Sequence, residues 1–349
     1  MSDGDADDSA GQTQDTLRER AGVSTAKLWF YMGADRRLVA LGLAGLLFAG
    51  VVVGGIVHPQ PAYVLITDGD PMETLAQSLV GSTVTGVTVV LTLSQLVLSQ
   101  EQGAVGDQRG RMEDATKFRT DVADLLDQPV SPTEPSAFLR ALVGATEERA
   151  ESVESAVEDL EDEELRDQIT EFTRGVRENA EDVRDDLEGA RFGEFEVIRA
   201  ALDFNYSWKL YTAQRFRAEN TDALSEHATD RLAALASVLE LFGPAREHFK
   251  TLYFQWELID LSRTILWVSL PSLLVSTWAL IFFDASVVPG FVLGVPTVLL
   301  QVAAIVAAAL LPFAVLLSYI LRIVTVTKRT LSIGPFILRE TDRDTAFEE

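Results

Sequence analysis

Apolar and polar positions divide this chain into long membrane-grade runs and one long charged region. Residues 38–57, LVALGLAGLLFAGVVVGGIV, carry no charge over 20 positions. At 1.5 Å per residue, a helix of that length matches a hydrocarbon core of about 30 Å. A second apolar stretch covers about 75–100. After the charged region, TILWVSLPSLLVSTWALIFF at 264–283 forms a third, with Trp267 and Trp278 toward opposite ends as an aromatic belt would place them. Asp284 and the breakers Pro289-Gly290, Gly294 and Pro296 follow it, and a fourth runs from about 297 to 321. The pattern predicts an all-α protein: four transmembrane helices with a large helical insert between spans 2 and 3.

The insert, 101–263, holds 37 acidic and 19 basic residues and reads at helical period. Leu165, Ile169, Phe172, Val176, Val183 and Leu187 follow a 3.5-residue seam, with Ala180 at the intermediate place. Such a seam is a coiled-coil signal and needs a partner helix. DQPVSPTEPS at 127–136 is the clearest break, and FNYSWKLYTAQRF at 204–216 reads as the aromatic core of a helical bundle. In FGPAREHF at 242–249, Pro244 suits a first helical turn. From there no breaker intervenes before Pro271, so the third span is expected to end one helix of about 40 residues and about 60 Å, a rigid link between insert and membrane.

The remaining segments are short. Residues 1–23 read as an acidic disordered N-terminus, 24–32 (STAKLWFYM at 24–32) as an interfacial aromatic anchor, and 322–349 as a tail. Arg36-Arg37 before an apolar run is the start of a twin-arginine signal pattern. The match ends with the pair and the run exceeds a signal core, so a retained span is expected.

The second span carries the candidate chemistry. It follows TDGDPMETL, where Asp70 is placed as N-cap, Pro71 at the first helical position and Glu73 three residues on. From there every fourth then third residue is small or polar: Thr74, Ser78, Gly81, Thr85, Thr88, Thr92, Gln95, Ser99 and Gln102. Off this stripe, between 83 and 98, only Thr83 and Ser94 are polar. Two readings stand. The stripe is interhelical glue, bonding a partner helix or its own i−4 carbonyls. Or it lines a water-filled path at an oligomer axis, where hydroxyls replace part of an ion's hydration shell. Proline frees a carbonyl within a span, so Pro271 and Pro312 are candidate hinges or ordinary kinks.

Composition fixes sidedness. Between Arg37 and Arg109, and between Arg263 and Arg322, there is no Lys or Arg, so all 29 basic residues fall on one side of a four-span topology. The positive-inside rule then puts both termini and the insert in the cytoplasm of a multi-pass cytoplasmic-membrane protein. A net charge of −24, with five lysines against 53 acids, resembles proteins of salt-in halophilic archaea. It also makes nucleic acid a poor partner. The chain has no cysteine and three scattered histidines (His58, His227, His248), and no phosphate loop or nucleophile elbow. No catalytic, metal or cofactor site is expected, and the chain is not expected to be an enzyme.

Two spans, a long helical insert and two further spans resemble, in layout, bestrophin-type anion channels and the stator-type proton-channel subunits of flagellar motors. Both assemble around an axis, which implies a homo-oligomer here. The aromatic neck and calcium-clasp acids of the first and the glycine-rich signature of the second are not found, so no site residue transfers. As a whole the chain resembles four-span integral membrane proteins of halophilic archaea, a group with no assigned activity. The expectation is an oligomeric ion channel or channel-like pore gated by its insert. The alternative is a non-conducting membrane scaffold or signalling protein whose acidic insert docks a cytoplasmic protein partner.

Overall fold

A computed structural model describes residues 34–329 except 192, 194 and 288. The acidic N-terminus, the aromatic segment 24–32 and the tail from 330 lie outside the described residues. Within them the helices are α1 (Arg36–Val57), α2 (Ala62–Thr67), α3 (Pro71–Glu101), α4 (Val105–Leu125), α5 (Pro135–Val157), α6 (Glu163–Leu187), α7 (Phe195–Leu202), α8 (Tyr206–Glu219), α9 (Glu226–Phe282), α10 (Thr297–Ala309) and α11 (Leu311–Arg329). The described residues are all-α apart from a hairpin of two two-residue strands, β1 (Phe291–Val292) and β2 (Val295–Pro296). It divides into two compact units. One is Ala104–Tyr253 with the described part of Thr327–Glu349; the other comprises the described part of Ala26–Gly103 with Phe254–Val326.

The first unit is built on the seam of α6. Leu165, Ile169, Phe172, Val176, Ala180, Val183 and Leu187 are all buried, and their main partner is α5, which buries Phe138, Leu139, Leu142, Val143, Val153 and Val157. The ion pairs give the direction of this pairing. Arg177 reaches Glu154 at 3.0 Å and Arg184 reaches Glu147, so a step of seven forward on α6 is a step of seven back on α5. The helices are antiparallel, and each fully buried aliphatic or aromatic side chain contributes at most about 1.5–3 kcal/mol. Pro135 opens α5 at the break, with the Glu134 carboxylate accepting from the Ala137 amide at 2.7 Å. The aromatics of 204–216 join this core: Phe204 packs edge-on against Phe242 at 4.8 Å and Trp208 against Phe172 at 5.8 Å.

Pro244 does not open a helix. α9 begins at Glu226, where the Ser225 hydroxyl accepts from the Ala228 amide at 3.1 Å, and runs 57 residues through Gly243-Pro244. Proline inside a helix costs about 3 kcal/mol, but Leu239, Phe242 and Ala245 around it are fully buried, and that packing outweighs the local penalty. Gly243 is required by it: a Cβ there would stand 2.8 Å from the Tyr206 ring. Residues of α9 through Tyr253 belong to the first unit and those from Phe254 to the second.

The second unit packs α1, α3, the C-terminal part of α9, α10 and α11. Its apolar contacts form two clusters. One joins Met72 and Ala76 of α3 to Ala279 of α9 and to Val302, Ile305 and Val306 of α10. The other joins Val90 of α3 to Ala40 of α1, Leu261 and Ile265 of α9, and Ala314 and Val315 of α11. As numbers rise along α3 they fall along α9 and rise from α10 into α11, so these segments alternate in direction. α1 comes close to α10 at Gly55, where a Cβ would lie 2.5 Å from Leu299. Outward-facing side chains on these helices are largely apolar, among them Leu38, Leu46, Leu91, Leu96, Leu270 and Leu274. Such a surface is compatible with hydrocarbon as its solvent.

Among the described residues, three helices are long and apolar enough to cross a membrane: α1, α3 over Pro71–Leu96, and α9. The fourth expected span is not one helix. It is α10 and α11, bent by 49° at Leu310, and the two pass the same test only as a pair. Pro312 explains the break, since it has no N–H to give the Ala308 carbonyl four residues back. The Ser272 hydroxyl of α9 lies 2.8 Å from that carbonyl instead.

In the hairpin between α9 and α10, Leu293 and Gly294 have φ of +52° and +80°. Left-handed backbone strains a branched side chain, and Asn is favoured at the first position of such a turn. Leu293→Asn is therefore expected to slow hydrogen exchange at the Thr297 amide, which donates to Gly290 across the hairpin, by about fivefold. An unchanged rate would show the turn is not strained.

Candidate functional site

All nine stripe residues, Thr74, Ser78, Gly81, Thr85, Thr88, Thr92, Gln95, Ser99 and Gln102, are exposed on one face of α3. The opposite register, Met72, Ala76, Leu79, Thr83 and Val90, is buried against the unit. Among the described residues, no other helix therefore covers the stripe. Five of its six hydroxyls bond back along the helix: Ser78 to the Thr74 carbonyl, Thr85 to Gly81, Thr88 to Val84 and Thr92 to Thr88, at 2.8–3.0 Å, and Ser99 to Leu96 at 2.7 Å. These five donors are thereby satisfied, while their oxygens remain free to accept. Gln95 has no such option. Its side-chain amide makes no hydrogen bond among the described residues.

Bonding between helices within the chain falls to other residues. Ser94 of α3 and Ser262 of α9 approach to 2.5 Å, and Ser272 bridges to Ala308. Thr83 and Ser94, the two polar residues off the stripe between 83 and 98, are turned inward by α3. Pro271 is exposed within unbroken α9, one residue before Ser272, whereas Pro312 is buried at the 49° bend. The two prolines thus flank one hydrogen-bonded crossing of α9 and α10.

The start of α3 differs from its sequence reading. Asp70 is the N-cap residue, but at φ +54° it lies in the left-handed region and its carboxylate caps nothing. An N-cap side chain reaches the N2 or N3 amide only from extended backbone. Asp284, which ends α9, is bonded: the Ser286 hydroxyl and amide both donate to it, holding its carboxyl below the ordinary aspartate value.

A second polar constellation was missed in the sequence. Arg36 of α1, Glu257 of α9 and Arg322 of α11 meet inside the unit, with Arg36 Nε 3.9 Å and Arg322 Nη1 3.6 Å from the Glu257 carboxylate. Both arginine side chains are about nine-tenths buried. Arg322 also donates to the Ala34 carbonyl at 2.8 Å, and the Arg36 guanidinium sits 5.9 Å from the Tyr319 ring. One carboxylate ties together the ends of three apolar helices, directly above the cluster of Ala40, Leu261, Ile265 and Val315. A signal for it existed. Each of the three falls in the buried register of its helix: Arg36 four before Ala40, Glu257 four before Leu261, Arg322 seven after Val315. A charge on a buried register calls for a partner.

The charge distribution follows. The four arginines among the described residues of this unit, Arg36, Arg37, Arg263 and Arg322, collect at one end, whereas Asp68, Asp70 and Glu73 lie at the start of α3 and Asp284 at the end of α9. No curated protein and no solved structure matches this chain. The Family of unknown function (DUF7972) does, over residues 1–349, and the protein belongs to that family.

Proposed function

We propose that the protein is a four-span homo-oligomeric channel or channel-like pore of the cytoplasmic membrane, with Thr85, Thr88, Thr92, Gln95 and Ser99 of α3 lining its path. The observation that carries this reading is the exposure of the whole stripe. A polar amide such as Gln95 facing lipid would cost a few kcal/mol, so water or a second copy of α3 is the favoured neighbour. Hydroxyls whose protons are bonded to i−4 carbonyls present oxygen to the path, the geometry that replaces part of a cation's hydration shell. The absence of an ionisable residue between Glu73 and Glu101 suits passive permeation.

Further support comes from the alternating direction of α1, α3, α9 and the α10–α11 pair, which suits four crossings. The gathering of arginines at one end suits a cytoplasmic placement of that end. The insert is read as the gating element because α9 passes without a break from it into the third span.

The full chain reconstituted in liposomes is expected to carry current, and Thr88→Leu with Thr92→Leu to lower single-channel conductance by about an order of magnitude, since an apolar ring dewets a constriction. Intact conductance with weakened assembly would make the stripe an intersubunit contact. A monomer in detergent that passes no current would overturn the channel reading.

A further inference from the structure

The second unit carries a groove of about 540 Å³ between the first turns of α1, the stretch Asp260–Val268 of α9, and Leu311–Tyr319 of α11. Its chemistry is graded in the same direction on all three helices. On α1 the wall passes from Arg37 to Leu41, on α9 from Arg263 to Val268, and on α11 from Tyr319 to Leu311. One end is cationic and the other aliphatic, with Trp267 lining the groove one turn beyond Arg263. The graded length, eight residues on α11, is about 12 Å.

Arg37 and Arg263 form no ion pair among the described residues, although acids outnumber bases in this chain by 53 to 29. Asp260 lines the same wall without pairing to either. Two guanidiniums against one carboxylate leave one net positive charge in the groove.

We propose that this groove binds an anionic phospholipid, its phosphodiester held by Arg37 and Arg263 and its upper acyl chain lying along Leu41, Val268 and Leu311. A phosphodiester monoanion matches the single unbalanced charge, and Arg favours phosphate through its planar donor fork. Clustered cations at the cytoplasmic end of membrane helices recognise anionic headgroups by this chemistry. The assignment rests on the membrane-embedded reading of the second unit, but not on conduction.

The test uses the full chain in phosphatidylcholine nanodiscs doped with brominated phosphatidylglycerol or brominated phosphatidylcholine. In about 1 M salt, where the Debye length is about 3 Å, only contact pairing persists. The Trp267 signal is the quenching that disappears in Trp267→Phe. Brominated phosphatidylglycerol is expected to quench it at about fivefold lower mole fraction than brominated phosphatidylcholine. Arg37→Gln with Arg263→Gln is expected to bring that ratio to about one, and soluble glycerol phosphate to leave the quenching unchanged. Equal quenching by both lipids in the parent, or a ratio surviving the double variant, would overturn the proposal. Release by soluble glycerol phosphate would also overturn it, since the site would then take free phosphate. Alkaline carbonate extraction separates the two levels: a chain that extracts overturns the membrane reading and this proposal together, while loss of lipid selectivity in an unextractable chain overturns this proposal alone.

Discussion

Glu257→Gln is expected to destabilise the second unit by about 3 kcal/mol, the lower end of what removing one partner from a buried ion cluster costs. The parent carboxylate sits between two guanidiniums, each about nine-tenths buried, at 3.6 and 3.9 Å. The substitution preserves shape but removes the negative charge that faces both guanidiniums, leaving two like charges side by side. The expected readout is a clear drop in apparent melting temperature in detergent, followed by near-UV circular dichroism, with exposed Glu73→Gln unchanged as control. Arg322→Gln added to Glu257→Gln is expected to recover part of the loss, because the repulsion then vanishes; such non-additivity is the signature of a coupled cluster. A Glu257→Gln melting temperature equal to the parent's would show that the three charges merely coexist.

The second large effect is expected in the first unit, at its buried lysine. Lys209 is fully buried, donating from Nζ to Asn179 Oδ1 at 2.9 Å and lying 5.2 Å from the Phe204 ring. Asn179 itself donates to the Asp203 carbonyl at 3.1 Å, so one amide fixes both the ammonium and the turn between α7 and α8. Asn179→Leu keeps the branch at Cγ but withdraws an acceptor from a buried cation, at a cost of about 2–3 kcal/mol. Chemical denaturation followed by far-UV circular dichroism is expected to show the loss. Lys209→Met in the Asn179→Leu background should then restore much of it, since removing both polar partners can be nearly neutral. If the double variant is no more stable than Asn179→Leu alone, the Lys209–Asn179 contact is not what holds α6 to α8.

Much of the architecture was readable because one hydrophobic period determines it. The charge-free run at 38–57 became Arg36–Val57, and the seam from Leu165 to Leu187 is the buried face of α6. The failures share a cause. Pro244 looked like a helix start because proline is judged locally, whereas the helix persists on the burial of Leu239, Phe242 and Ala245. Hydropathy alone reads the stretch from 297 as one run, and Pro312, a candidate kink in the sequence, is what marks the bend at Leu310. Residues 254–263, which fall within the charged stretch 101–263, pack with the second unit, since Leu261 is held by Ala40 and Val315.

The candidate site divides in the same way. That Thr74 through Gln102 share a face follows from helical period alone. Which way that face points is not a property of α3: it depends on whether α1, α9 and α11 occupy the opposite side, and they do, through Val90. The sequence by itself determined the helices, their apolar lengths and the sorting of polar from apolar groups, because these depend on residues within a few turns of one another. Only the tertiary structure decided that the stripe is left uncovered, and that Arg36, Glu257 and Arg322 meet across 286 residues of chain. Contacts at that separation are chosen by packing between helices, which no local pattern records.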